Sequence, residues 1–214
     1  MIVAPSILSV DFKEFKHQLQ QVNQSAATWI HFDVMDGHFV PNLTFGPDIL
    51  KAVKELSDLF MDVHLMVKDP EVFVDMFVVA GCDQITFHLE ATDDYQRTMY
   101  LINKIKANNV KVGISIKPDT PKEAIDPYVA FVDLILIMSV EPGFGGQAFL
   151  MSSLEKIRYA KQQIKNNNSH ALVQVDGGIN QETVKLVKAA GVDVVVAGSY
   201  IFKHDIILAV DSLC

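Results

Sequence analysis

Cysteine is almost absent from this chain of 214 residues. The two cysteines, Cys82 and the final residue Cys214, cannot build the disulfide framework that stabilises small secreted domains. The chain also lacks a basic and apolar signal segment, since Met1 leads directly into a predicted strand. Both features predict a protein of a reducing compartment, and we expect a cytoplasmic location.

Basic residues are also few. The 18 Lys and Arg are outnumbered by 26 Asp and Glu, which gives a formal net charge of −8. A nucleic-acid surface would need clustered Lys and Arg, so we expect no nucleic-acid partner. An anionic small molecule remains compatible with this charge, because backbone amides at helix N-termini and a bound cation can hold a phosphate in an acidic protein.

Long hydrophobic runs are missing too. The longest strongly apolar stretch, 129–140, is interrupted by Asp133. A helix needs about 20 apolar residues to cross a bilayer. We therefore expect no association with a membrane.

Short apolar segments alternate with longer amphipathic segments along the whole chain. Nearly continuous apolar runs are typical of buried parallel strands, and the amphipathic segments are typical of helices between them. Strands are predicted at 2–8, 29–34, 61–66, 84–89, 111–116, 134–140, 172–176 and 193–197. Helical patterns are found at 12–24, 47–56, 70–80, 95–108, 150–164 and 182–189.

This alternation predicts an α/β protein with eight strand–helix units. Eight units in 214 residues are close to the lower size limit of a closed (β/α)8 TIM barrel. No linker or low-complexity segment divides the chain, so we expect one domain over residues 1–214. An open doubly wound sheet is the alternative, but no dinucleotide-binding fingerprint follows the first predicted strand.

Polar side chains occur at the ends of three predicted strands, where barrel enzymes place their active sites. His31 and Asp33 are two residues apart and so point to the same side of the second strand, while His64 and Asp176 lie at the ends of the third and seventh. Each residue alone is more often structural. Together they can bind a divalent Zn, Fe, Mn or Co ion, and four unpaired polar groups in one barrel mouth would be costly without a ligand.

Glycine-containing loops follow the sixth, seventh and eighth predicted strands, at 141–147, 176–178 and 197–199. Glycine lets backbone N–H groups approach an anion closely, and barrels frequently bind phosphate in these loops. A single such loop more often makes only a tight turn. Three adjacent loops favour a phosphate site.

These segments together resemble ribulose-phosphate 3-epimerases, a family of ribulose-phosphate-binding barrels, over essentially the full length of the chain. The matching segments are APSIL at 4–8, HFDVMDGHFVPN at 31–42, DVHLMV at 62–67, MSVEPGFGGQ at 138–147, VDGGI at 175–179 and AGS at 197–199. The resemblance implies a metal-dependent isomerase that interconverts D-ribulose 5-phosphate and D-xylulose 5-phosphate. It also implies that the chain forms a homo-oligomer and that its substrate is a small sugar phosphate.

The resemblance further implies a role for individual residues. His31, Asp33, His64 and Asp176 would bind one divalent metal ion per subunit, and the two aspartates would exchange a proton with C3 from opposite faces of an enediolate. The expected substrate-binding residues are Ser6, His64, Gly143, Phe144, Gly145, Gly146, Asp176, Gly177, Gly178, Gly198 and Ser199. The glycines beside Phe144 lead us to expect that it covers the substrate as part of a mobile loop.

The sequence assigns the roles of several other residues less clearly. Met35, Met66 and Met138 match family methionines near the metal, although ordinary core packing explains them at least as well. His88 ends the fourth predicted strand and is the one further histidine expected near the site, as a neighbour or a substitute ligand. The placement of His38 is left open, and surface positions are expected for His17, His170 and His204.

Two features depart from the family pattern. Lys117 stands where many relatives have Asn, and the last helix, from about Asp205, is short. Neither is expected to touch the site. Two other functions stay open: a 3-epimerase for a hexulose phosphate such as allulose 6-phosphate, with the same metal and aspartates, and a non-catalytic phosphate-binding barrel. The latter would be expected to lack at least one of the four polar ligands.

Overall fold

In the computed structural model, which describes residues 1–92 and 94–214, eight parallel strands form one sheet. Their bounds are β1 Ile2–Pro5, β2 Trp29–Met35, β3 Phe60–Met66, β4 Gln84–His88, β5 Lys111–Ile116, β6 Leu134–Met138, β7 Leu172–Asp176 and β8 Val194–Ala197. The order is β1-β8-β7-β6-β5-β4-β3-β2, and a parallel bridge between Ser6 and His31 brings the two edges together. The predicted TIM barrel is confirmed.

Eight α-helices lie within the described ranges. Their bounds are α1 Phe15–Gln24, α2 Pro47–Leu56, α3 Pro70–Ala80, α4 Tyr95–Ala107, α5 Ser153–Asn166, α6 Thr183–Ala190, α7 Ser199–Phe202 and α8 Ile206–Asp211. Pro47 and Pro70 begin their helices, where the missing N–H costs nothing. None of the helices in the part of the chain that is described has the length and apolarity needed to cross a bilayer.

The helices are not distributed one to each strand, as the regular alternation had suggested. Within the described residues, β5 is followed by a 3₁₀ helix, Lys122–Ile125, and by no α-helix before β6, whereas α7 and α8 both follow β8. Pro118, Pro121 and Pro127 lie in the segment after β5. Proline removes backbone donors, and three of them in ten residues prevent an uninterrupted α-helix.

Several predicted boundaries were also wrong. The first strand ends at Pro5 instead of residue 8, because the chain turns into a 3₁₀ helix, Ile7–Ser9, capped by the hydroxyl of Ser6. The helix predicted from residue 12 begins at Phe15, and the one predicted from residue 150 begins at Ser153. The short last helix was predicted correctly, with Asp205 as its N-cap.

Strand register places the polar residues inside the barrel. Successive side chains of a strand point to opposite faces, so alternate residues of β2 and β3 point inward. The pairing of the two strands sets His31 opposite Asp62, Asp33 opposite His64 and Met35 opposite Met66. The outward residues, such as Phe32 and Val63, are fully buried under the helices in the main hydrophobic core.

Candidate active site

His31, Asp33, His64 and Asp176 meet at the C-terminal end of the barrel. Each offers one ligand atom, and these atoms all lie within 4.8 Å of one another. Oδ1 of Asp33 is central to the group, at 3.3 Å from Nε2 of His31 and 3.2 Å from Nδ1 of His64. The structure therefore brings together the four residues that the sequence singled out as ligands.

The chemistry of these four residues fits a divalent cation. Nε2 of His31 is buried and has no hydrogen-bond partner among the described residues, although the ring is completely enclosed. A buried polar atom without a hydrogen bond is costly, and a cation held by these four residues would supply a partner for it. Two imidazole nitrogens and two carboxylates are donors that Zn, Fe, Mn and Co accept.

The two aspartates have opposite pKa shifts. Burial opposes the charge of Asp33, but His31 and His64 beside it hold the pKa of its carboxyl well below the usual range. Burial and the neighbouring charge of Asp33 raise the pKa of Asp176 to about 7, and His31 offsets part of this rise. The two carboxyl groups therefore face the same cavity but differ in how readily they bind a proton.

The two histidines also differ. Burial lowers the pKa of His64 to about 4, so its ring is neutral at physiological pH. Burial also disfavours the charge of His31, but Asp33 and Asp62 raise its pKa well above the ordinary value. A cation that binds His31 would therefore displace a proton, as is usual when histidine becomes a metal ligand.

The predicted substrate-binding residues surround a cavity directly above these ligands. Its lining contains Ser6, Gly143, Phe144, Gly146, Asp176, Gly177, Gly178, Gly198 and Ser199. Ser6 donates a hydrogen bond of 2.6 Å from Oγ to Oδ2 of Asp33. Two predicted residues are not in the lining: His64 is completely buried, and Gly145 lies next to Ser9.

Two glycines of the cavity are required by the packing around them. Gly178 has a φ of +64°, and a Cβ there would lie 2.5 Å from the backbone nitrogen of Phe149. A Cβ on Gly198 would lie 2.5 Å from Oγ of Ser9. These loops are therefore tight turns, and their backbone also faces the cavity. The glycines can thus serve both as turn residues and as part of a phosphate site.

The family model described as the ribulose-phosphate 3 epimerase family matches residues 2–202 of the chain. The chain belongs to this family. A ribulose-phosphate 3-epimerase of Bacillus subtilis is 44% identical over 201 residues, covering 94% of this chain and 91% of the relative. One of Chlamydia muridarum is 42% identical over 207 residues, covering 96% and 90%. As a family member, the chain is an epimerase, an enzyme of the isomerase class.

Solved structures with low sequence identity share the fold. A 3-hexulose-6-phosphate synthase superposes with a TM-score of 0.69 over 99% of this chain and 96% of that one, at 19% identity. A tryptophan synthase α-subunit from Pyrococcus furiosus has a TM-score of 0.69 at 15% identity, with 99% and 95% covered. At such identities the likeness concerns the barrel alone.

Two further polar residues of this epimerase are linked to the ligands and were missed in the sequence. Asp62 and Gln174 lie fully buried beneath the site, and Gln174 donates a 2.6 Å hydrogen bond to Asp62. Each lies two positions before a predicted ligand on the same strand. The two-residue period of a strand could have identified them, since it puts them on the same inward face.

The methionines and the other histidines of the chain lie at different distances from the site. The three methionines lie against the cavity and are almost completely buried: Met35, Met66 and Met138. His88 lies next to the site, with Nε2 2.9 Å from Nε2 of His64, as predicted. His38 is exposed in the loop after β2, and the three histidines predicted at the surface are exposed: His17, His170 and His204.

Proposed function

We propose that the chain interconverts D-ribulose 5-phosphate and D-xylulose 5-phosphate by two-base proton transfer at C3. The observation that carries this proposal is the position of Asp33 and Asp176, two carboxyl groups from separate strands that face one cavity. Inverting a carbon next to a ketone requires removal of its proton on one face and return of a proton on the other. Membership of the epimerase family supports the same reaction.

His31, Asp33, His64 and Asp176 would hold one divalent ion per subunit, of Zn, Fe, Mn or Co. Such an ion, when bound, stabilises negative charge that develops on the substrate oxygens as the proton leaves. Nε2 of His31 is buried and makes no hydrogen bond within the described residues, which supports this assignment.

The aspartates act from different sides of the barrel mouth. In the order of the strands around the barrel, β1 and β8 lie between β2, which carries Asp33, and β7, which carries Asp176. One carboxylate removes the C3 proton to give an enediolate, and the other carboxyl group delivers a proton to the opposite face. In the reverse reaction the two residues exchange roles. Ser6 orients Asp33 through its 2.6 Å hydrogen bond.

The glycine loops after β6, β7 and β8 would bind the phosphate of the substrate. Backbone N–H groups can bind an anion without a positively charged side chain, which suits a chain with a net charge of −8. The loops are held in place by side chains outside the cavity. Nδ2 of Asn42 donates to the carbonyl of Gly143 at 2.8 Å, and Oγ of Ser139 donates to the carbonyl of Gly177 at 2.7 Å.

The proposal includes one catalytic domain over residues 1–214 that works in the cytoplasm as a homo-oligomer. Exposed apolar side chains on α3 support self-association, since Val72 is 61% and Val79 is 87% exposed. Light scattering coupled to size-exclusion chromatography measures the oligomeric state. A monomer at micromolar concentration would contradict this part of the proposal.

The reaction is tested by measuring metal content and turnover on the same sample. The purified chain should contain about one divalent ion per subunit and should epimerise D-ribulose 5-phosphate. A verified metal-free sample should lose activity and regain it when one of the four candidate ions is added. Full activity without metal would overturn the role of the ion, and a higher kcat/KM on allulose 6-phosphate would instead favour a hexulose phosphate enzyme.

A further inference from the structure

A chain of three side chains leads from the proposed metal site to the rim of the barrel. Nε2 of His64 lies 2.9 Å from Nε2 of His88, and Nδ1 of His88 lies 3.1 Å from Oε2 of Glu90. Both rings are fully buried, whereas the side chain of Glu90 is 22% exposed. The catalytic proposal uses neither His88 nor Glu90.

A cation bound to Nδ1 of His64 would fix where each of the two rings carries its proton. Nδ1 is the nitrogen of His64 that faces Asp33, at 3.2 Å. If Nδ1 is to bind a cation, it must be free of a proton, and the neutral ring then carries its proton on Nε2. That N–H donates to Nε2 of His88, so His88 carries its own proton on Nδ1 and donates it to Glu90.

Glu90 is itself held by the loop after β5. Its Oε1 accepts a 2.8 Å hydrogen bond from the backbone N–H of Lys117 and a short one from the hydroxyl of Thr120. Nζ of Lys156 donates to the carbonyls of Lys117 and Pro118 and so fixes the same loop. Lys117 is therefore connected to the site through its backbone N–H and Glu90, although it does not touch the site itself.

We propose that Glu90 is a positioning residue that acts through His88 to present the unprotonated Nδ1 of His64 to the metal. This inference rests on the metal site proposed above. Partners of this kind orient metal-binding histidines and fix their tautomer, and their loss typically lowers metal affinity by about 10- to 100-fold. Here the partner carboxylate is one imidazole further from the metal.

The substitution Glu90→Gln tests the direction of these hydrogen bonds while it preserves the size of the side chain. Glutamine has one acceptor oxygen, and the donors of Lys117 and Thr120 both point to that end of the side chain. The NH₂ group of the glutamine then faces Nδ1 of His88, and this nitrogen must accept a hydrogen bond from it. The proton of His88 moves to Nε2, and the proton of His64 moves to Nδ1, where it blocks the metal.

The experiment measures Zn²⁺ affinity by competition with a chromophoric chelator for the wild type, Glu90→Gln and a control, Glu55→Gln, which changes an exposed residue of α2. Nitrogen-15 NMR of labelled histidines in the zinc-loaded wild type and in Glu90→Gln reports the tautomers directly. We expect affinity to fall about 10-fold or more in Glu90→Gln and to stay unchanged in the control. We also expect wild-type protons on Nε2 of His64 and Nδ1 of His88.

Equal zinc affinity of the wild type and Glu90→Gln would overturn this inference alone, as would a wild-type proton on Nδ1 of His64. A loss of affinity with unchanged tautomers in the variant would mean a merely structural effect and would also overturn it. A wild type that binds no zinc, iron, manganese or cobalt would overturn both this inference and the proposed metal site. If the variant fails to fold, the wild-type spectrum still tests the inference, since a proton on Nε2 of His88 would contradict its donation to Glu90.

Discussion

Oδ2 of Asp62 lies 2.7 Å from Nδ1 of His31, on the side of the ring opposite to the proposed metal site. Oδ1 of the same carboxylate accepts a 2.8 Å hydrogen bond from Gln84, and Gln174 donates to Oδ2. Asp62 is completely buried, and within the described residues these donors balance its charge. It holds the ring with Nε2 directed at Asp33.

We expect Asp62→Asn to weaken both the fold and the metal site. An amide cannot accept from all three donors, and breaking a buried ionic pair costs about 3–5 kcal/mol. Metal affinity should fall by about 10- to 100-fold, because the orientation of His31 is lost. Denaturant unfolding and zinc competition measure the two effects, with the exposed Asp58→Asn as control. A variant as stable as wild type would show that Asp62 is not ionised in the fold.

Asp33→Asn and Asp176→Asn should each reduce kcat by at least about 10²- to 10⁴-fold, the usual contribution of a general acid or base. Asparagine has nearly the same shape but cannot exchange a proton. The far-ultraviolet circular dichroism should stay that of the wild type. Proton exchange at C3 with deuterated solvent, measured by NMR, separates the two steps. Near wild-type turnover of either variant would remove that aspartate from its proposed role.

Gly178→Ala should impair substrate binding. The new Cβ would lie 2.5 Å from the backbone nitrogen of Phe149, which cannot move away as a flexible side chain can. The turn must therefore shift, and we expect a higher KM together with a loss of about 1–3 kcal/mol of stability. Gly81→Ala is the matched control, because Gly81 also has a positive φ but lies at the end of α3, away from the cavity. It should lose stability without a change in KM.

The two cysteines should react at very different rates with a thiol reagent at pH 8. Burial and the neighbouring Asp83 raise the pKa of Cys82 to about 12, so its thiol stays protonated, whereas Cys214 is exposed. Only the thiolate is the nucleophile. We expect one rapid equivalent per folded chain, two in denaturant, and none that is rapid in Cys214→Ser. Two rapid equivalents in the folded wild type would contradict the burial of Cys82.

The alternation of apolar and amphipathic segments predicted the strand–helix units, because parallel strands and their helices leave distinct hydrophobic periods. Eight such units without a dinucleotide-binding fingerprint favoured the barrel over an open sheet. The helix expected in the fifth unit is the main error. The prolines at 118, 121 and 127 lie too close together for an uninterrupted α-helix in this unit. Tertiary structure then placed two helices after β8 instead.

Residue type and position along the strands were enough to single out His31, Asp33, His64 and Asp176, since alternate residues of a strand share a face and barrel strands end at one mouth. Which atom of each side chain faces which neighbour was decided only by the tertiary structure. The contacts of His31 with Asp62, and of His64 with His88 and Glu90, join different strands and depend on the register between them. Hydrogen bonds act over about 3 Å, and a sequence pattern does not define positions between strands to that precision.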